Sequence, residues 1–280
     1  MKNALEIRGL TKSFPGFTLD HLDLTLPSGC VMGLVGENGA GKSTTIKLLL
    51  GMLRPDGGSI AILGKEGQPD ALTKEDVGVV LDEVGLPDCL NAARVGKIMS
   101  NLYRRWEPDT FERLISEMDI PRNTEFGKMS RGNKMKLGIA AAMSHGAKLL
   151  ILDEATSGLD PVVRDQVVDM IGDFTRDEDH AVLMSSHIVS DLEKICDYIA
   201  FLHKGKLLLC EEKDELLGEY GIVHCAAEEL AALPEGAVLH RKDTYWGSEA
   251  IVKREAVPEG MSLSPVTVEE LFIYMVKEDK

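Results

Sequence analysis

Residues 30–44, Cys-Val-Met-Gly-Leu-Val-Gly-Glu-Asn-Gly-Ala-Gly-Lys-Ser-Thr, restrict the fold more than any other stretch of the chain. The apolar run 30–35 predicts a buried strand, and the amphipathic run 45–52 predicts a helix. Between them stands Gly36-x-x-x-x-Gly41-Lys42-Ser43. A strand, a glycine turn and a helix in this order bring backbone N–H groups and the positive end of a helix dipole to one point, which makes a cradle for phosphate. Gly36, Asn38, Gly39 and Gly41 shape the turn, with a helix beginning at Lys42 or Ser43. Lys42 is placed to neutralise the outer phosphates of a nucleotide, and Ser43, followed by Thr44, to offer a hydroxyl to Mg²⁺.

The rest of the chain fits an α/β reading. Leu5 and Ile7, then Leu22, Leu24 and Leu26, alternate as half-buried strands do. Short apolar runs at 60–63, 77–81, 149–152, 181–184 and 198–202 are separated by helical segments, which predicts a mostly parallel sheet. Between 91 and 145 the periodicity is helical, with Val95, Ile98, Met99, Leu102 and Trp106 on one face and Phe111, Leu114, Ile115 and Met118 on another. Both stripes are expected to be core filling of an inserted helical subdomain. After Leu217 come strand-like pieces at 221–225, 237–241 and 249–253 and helical segments at 228–233 and 267–276, a small α+β appendage.

Charge and cysteines narrow the function classes. The 31 Lys and Arg against 46 Asp and Glu leave −15, which opposes nucleic acid or an anionic surface held by bulk charge, so no nucleic-acid partner is expected. Five scattered cysteines give neither a disulfide framework nor a zinc spacing and suit a reducing cytosol. The opening stretch carries Glu6 and lacks the apolar core of a secretory signal, and no window is apolar enough to span a bilayer, so a cytoplasmic chain is expected. The apolar run 149–152 ends in Asp153 and Glu154. Beside a phosphate cradle, Asp153 suits Mg²⁺ held through water, and Glu154, one residue past the strand, suits polarising an attacking water.

The phosphate cradle is followed by Ser130-Arg131-Gly132-Asn133, Leu152-Asp153-Glu154, Ser157-Gly158-Leu159-Asp160 and Ser185-Ser186-His187. Five motifs in that order, across about residues 5–217, resemble the nucleotide-binding subunits of ATP-binding cassette (ABC) transporters. The likeness is greatest to bacterial subunits paired with separately encoded exporter-type permeases. It implies a P-loop NTPase fold with a mixed, mostly parallel sheet, an N-terminal antiparallel β subdomain and a helical insert. The expected domains are an ATP-binding domain at 1–217, with its helical subdomain at about 85–146, and an accessory or regulatory domain at 218–280. The likeness further implies ATP and Mg²⁺, hydrolysis coupled to transport, and a separate integral membrane permease as partner. It implies also a homodimer, or a heterodimer with a paralogous ATPase subunit, on the inner face of the cell membrane.

Residue by residue, the resemblance makes Phe14 the aromatic that stacks on adenine, with Phe17 as its competitor. Ser130 and Gly132 would bind the γ-phosphate of the partner's ATP, His187 the γ-phosphate of its own, and Asp160 would lie in the loop that communicates between subunits. Three positions depart from the family pattern. Asp82 stands where the family has a glutamine, and becomes a candidate ligand of Mg²⁺ and nucleotide. Arg131 replaces the first glycine of the signature, and Ala155 a common proline. Two other readings stay open at this point: a soluble assembly ATPase, as in iron–sulfur cluster delivery, and a weakly hydrolysing, nucleotide-dependent regulatory module.

Overall fold

In the computed structural model, which describes residues 2–67, 74–234, 236–244, 247–258 and 260–278, the early alternation of leucines becomes two long strands. Asn3–Phe14 (β1) and Phe17–Pro27 (β2) pair antiparallel, with Phe14 opposite Phe17 at the turn. Val31–Val35 (β3) is buried along its whole length and leads through the glycine turn to Lys42–Leu49 (α1). Gly57–Ile62 (β4) and Lys65–Glu66 (β5) complete an antiparallel sheet of order β2-β1-β4-β5.

Val77–Val80 (β6) precedes three helices, Ala92–Leu102 (α2), Pro108–Glu117 (α3) and Arg131–Met143 (α4). The chain then alternates: Leu149–Asp153 (β7), Pro161–Phe174 (α5), Ala181–Ser186 (β8), Val189–Ile195 (α6), Tyr198–His203 (β9) and Lys206–Glu212 (β10). The second sheet runs β10-β9-β3-β8-β7-β6, and the pairs β9·β3, β3·β8, β8·β7 and β7·β6 are all parallel. Continuous burial of β3, β7 and β8 is what parallel strands inside an α/β fold require. One core, including Leu5, Ile7, Leu34, Ile46 and Leu183, joins the two sheets.

The helical insert departs from its sequence reading in one respect. Phe111, Leu114, Ile115 and Met118 are core, and so is Val95, but Ile98 is 39% and Leu102 65% exposed. The reason lies in how α2 meets its neighbour. A Cβ at Gly96 would come within 2.8 Å of the Phe111 ring, so the contact with α3 runs along the Gly96 side of the helix. Ile98 and Leu102, four residues apart, share a different strip and are left facing out. Trp106 rests beside Phe111, with ring centroids 5.1 Å apart.

The chain divides into two compact units, Met1–Cys210 and Glu211–Lys280, a break seven residues earlier than the Leu217 boundary expected from sequence (217 − 210). Its cause is the helix Lys213–Glu219 (α7), which packs on the strand that follows, Tyr220–Cys225 (β11). The second unit continues with Ala227–Ala231 (α8), Val238–Thr244 (β12), Gly247–Lys253 (β13), Leu263–Ser264 (β14) and Val268–Glu278 (α9). Its antiparallel sheet, β12-β13-β11-β14, encloses a small core of Val223, Leu230, Ala250 and Val252. The His240 ring stacks on Tyr274 of α9 at 4.1 Å.

Candidate nucleotide site

The glycine turn sits at the carboxyl end of β3, and only glycine fits it at two points. A Cβ at residue 36 would lie 2.5 Å from the Leu202 carbonyl oxygen of β9, and Gly41 has φ +117°. Lys42, the first residue of α1, is buried at 5% exposure. A buried ammonium needs partners. Its Nζ donates to the carbonyl of Gly36 at 2.7 Å and of Glu37 at 3.4 Å, and lies 3.4 Å from Glu154 Oε1.

Glu154 follows β7 with φ +54°, a left-handed conformation that costs a residue other than glycine. Ser185 of the adjacent β8 holds that turn: the Glu154 amide donates to its carbonyl at 3.1 Å and approaches its Oγ at 3.2 Å. The bend carries the carboxylate off the strand, where Oε2 lies 2.6 Å from His187 Nδ1 and accepts weakly from the His187 amide at 3.4 Å. One residue earlier, the buried Asp153 accepts from Ser185 Oγ at 2.5 Å. Parallel pairing of β7 with β8 sets Asp153 beside Ser185, so the sheet register fixes this arrangement.

These groups open on a pocket of about 780 Å³. Of the residues expected from sequence, Asn38, Gly39, Gly41, Lys42, Ser43 and Thr44 from the turn, with Asp82, Glu154 and His187, line it. Gly36 supports Lys42 from beneath, and Asp153 stands behind the wall, held by Ser185. Phe14 does not line it. Its ring is 38% exposed, whereas Phe17 is on the wall and would meet a Cβ at Gly41 at 3.1 Å. The hairpin turn separates the two rings by 6.4 Å and places Phe17 on the side of the glycine turn, so the competitor replaces Phe14 as the aromatic beside the pocket.

Ser130, Gly132 and Asp160 also lie off this pocket's wall. Ser130 caps α4, its Oγ accepting from the Asn133 amide at 3.2 Å, and Asp160 caps α5, accepting from the Val163 amide at 3.1 Å with Pro161 as the first helical residue. Gly132 faces Val163. Sequence reasoning passed over Glu37 and Ser157, which line the pocket, and His203, buried 3.5 Å from Glu37. The first two lay inside motifs already quoted; nothing in the sequence marks His203. Arg131, noted only as a departure, is on the wall and pairs with Asp82 at 2.7 Å.

A glycine turn between β3 and α1, with the acid-tipped β7 and the histidine after β8 beside it, defines a P-loop ATPase cassette. Three comparisons carry that class to a family. The profile of the ABC transporter family matches residues 19–157. The uncharacterised ABC transporter ATP-binding protein YhcH of Bacillus subtilis (strain 168) is 30% identical over 99% of this chain and 92% of its own length, a match that extends through the second unit. The lantibiotic transport ATP-binding protein SrtF of Streptococcus pyogenes is 35% identical over 75% of this chain and 91% of its own. A solved ATP-binding subunit of an ABC transporter superposes with a TM-score of 0.66 at 25% identity, covering 76% of this chain and 91% of that one. The chain belongs to the ABC transporter ATP-binding proteins: it is the ATP-binding subunit of such a transporter, an ATPase whose hydrolysis is coupled to transport. Among the described residues no helix is long and apolar enough to cross a membrane.

Proposed function

We propose that two copies of this chain, or one copy and a paralogue, close head to tail on two ATP molecules at the inner face of the cell membrane and drive a separately encoded permease that exports its cargo. The observation that carries this reading is the cluster of Lys42, Glu154 and His187, in which cation, carboxylate and imidazole meet at the carboxyl ends of three adjacent parallel strands. Triphosphate would enter with its outer phosphates toward Lys42 Nζ, displacing that ammonium from Glu154 Oε1. The carboxylate, released from Lys42, orients a water for in-line attack, and His187 steadies it from the other oxygen. Ser130 and the amide of Gly132, at the start of α4 and off the wall of this subunit's own pocket, fit a role on the partner's nucleotide. Asp160 would transmit between the subunits, and Phe17 would stack on the base.

Mg²⁺ fits the donors present. Among the described residues no group of three or more His, Cys, Asp or Glu could hold a metal by itself, and a Mg²⁺ here would take its remaining oxygen ligands from nucleotide and water. Ser43 would supply a hydroxyl and Asp153 a carboxylate through water. Asp82, the further ligand expected from sequence, is engaged by Arg131 and is left out of this set. Held by these residues, a Mg²⁺ would supply positive charge against the phosphates.

The exposed Ile98 and Leu102 of α2, and the two grooves that share Val79 and Tyr103, are the apolar surface proposed to meet the permease. Export rests on the likeness to exporter-type family members, and a lantibiotic-like cargo on the likeness to a relative named for lantibiotic transport. Residues 211–280 are proposed as an accessory element that sets dimerisation or rate. Glu154→Gln, purified with Mg-ATP and run by size exclusion, is expected to elute as an ATP-dependent dimer; an oligomeric state indifferent to ATP would overturn closure. Removal of 211–280 should shift either oligomer or ATPase rate, and a truncated chain unchanged in both would end the accessory role.

A further inference from the structure

Three loops of unrelated sequence position meet at one guanidinium. Arg131, the first residue of α4, donates from Nη2 to Asp82 Oδ1 at 2.7 Å across 49 residues of chain. The same guanidinium lies over Gly158, where φ is +67° and a Cβ would come within 3.3 Å of Arg131 Cζ and Nη1. Arg131 and Asp82 both line the pocket that holds Lys42 and Glu154.

The charges on that wall explain why this matters. Its carboxylates are Glu37, Asp82 and Glu154, and its permanent cations are Lys42 and Arg131. Lys42 already lies against Glu154. Asp82 therefore depends on Arg131 for neutralisation, and a bare carboxylate there would face a polyanionic substrate across a pocket too small to screen it fully. The pair is about half exposed on both sides, so it contributes little to folding and its charge effect is the larger consequence.

We infer that Arg131 is a positioning residue for nucleotide bound by its own subunit: it masks Asp82 on the wall of the phosphate pocket and braces the loop at Gly158. This rests on the reading of that pocket as the ATP site. It assigns to Arg131 an action within one chain, separate from what Ser130 and Gly132 do across a dimer.

The test is a double-mutant cycle on the full chain, with equilibrium Mg-ATP binding measured at protein concentrations where the chain is monomeric. Arg131→Ala is expected to weaken binding about tenfold, and Arg131→Lys to recover most of the loss. Asp82→Asn/Arg131→Ala should return to within about twofold of Asp82→Asn, because the charge being masked is gone. The deficit of Arg131→Ala should shrink toward 1 M salt, where screening acts over about 3 Å, which a purely structural defect would not do. In turnover, KM should move more than kcat. An equal loss in the Asp82→Asn background, or unaltered monomer binding with a fall in kcat alone, would overturn the inference, the latter by placing Arg131's action across the dimer. Lys42→Ala separates the two levels: if that protein still binds ATP as the wild type does, the reading of the pocket fails, whereas an additive cycle with Lys42→Ala inactive in binding removes only the role of Arg131.

Discussion

Two faces of the first unit invert the ordinary rule of burial in opposite senses. At the carboxyl ends of β3, β7 and β8 charged groups are drawn in, with Lys42 and Asp153 buried and Glu154 nearly so. Beside the edge strand β6 and along α2, large apolar groups are pushed out, Leu102 most of all. The charged face is set by the backbone: Asp153 beside Ser185 by strand register, Lys42 on a turn that only glycine can make. The apolar face is a strip left uncovered by helix packing. One face gathers charge around a pocket, while the other leaves apolar side chains bare.

The largest effect that would break this contrast is on the charged side. Glu154→Gln keeps shape and removes the carboxylate, and should lower single-turnover ATP hydrolysis by about 10²–10⁴ with nucleotide affinity retained. Hydrolysis at the wild-type rate would remove Glu154 from the chemistry. Next, Lys42→Ala should weaken ATP binding by about two orders of magnitude, charge-assisted contacts to phosphate being the strong ones; calorimetry reads this directly. A smaller effect is expected on the apolar side. Leu102→Asp should reduce recovery of the chain with its co-expressed permease by about tenfold while ATP binding of the isolated chain stays at the wild-type value, because an exposed position burdens only the complex. Loss of both together would show that the two faces are not separable.

The smallest effect sharpens the comparison from within the groove. His145 is buried there, stacked on Tyr103 with centroids 4.1 Å apart, and burial holds its imidazole below the usual histidine range. The unfolded chain protonates this residue near pH 6.5, so below that pH it binds more protons than the folded one. Stability contributed by the neutral ring is thus full above about pH 6.5 and is lost as pH falls toward the depressed folded value. His145→Phe should flatten the decline of the thermal midpoint between about pH 7 and pH 5 by a few degrees; an unchanged slope would assign the decline to other groups.

Legibility differed between the two faces for a physical reason. The charged site was readable because its parts are local: the turn, the acid pair after β7 and the histidine after β8 each follow directly on an apolar strand, and strand ends of a parallel sheet converge. Within it, the choice between Phe14 and Phe17 was not readable, since which side of the hairpin turn faces the glycine turn is set by packing and not by spacing along the chain. The apolar face was misread as core. Periodicity marks Ile98 and Leu102 as one stripe with Val95, but which strip of α2 is covered depends on the close contact of Gly96 with Phe111, a meeting of two helices that no window of sequence contains.

From its residues alone this chain could be placed as a phosphate-binding α/β cassette, because glycine, lysine and strand-terminal acids have few other uses in that order. Only the folded chain decided which aromatic borders the pocket, where the second unit begins and which hydrophobic strip stays bare. It also paired Asp82 with Arg131, 49 residues away. Local spacing specifies backbone geometry over a few residues; charge neutralisation and side-chain cover are settled between segments, by whichever neighbours the topology delivers.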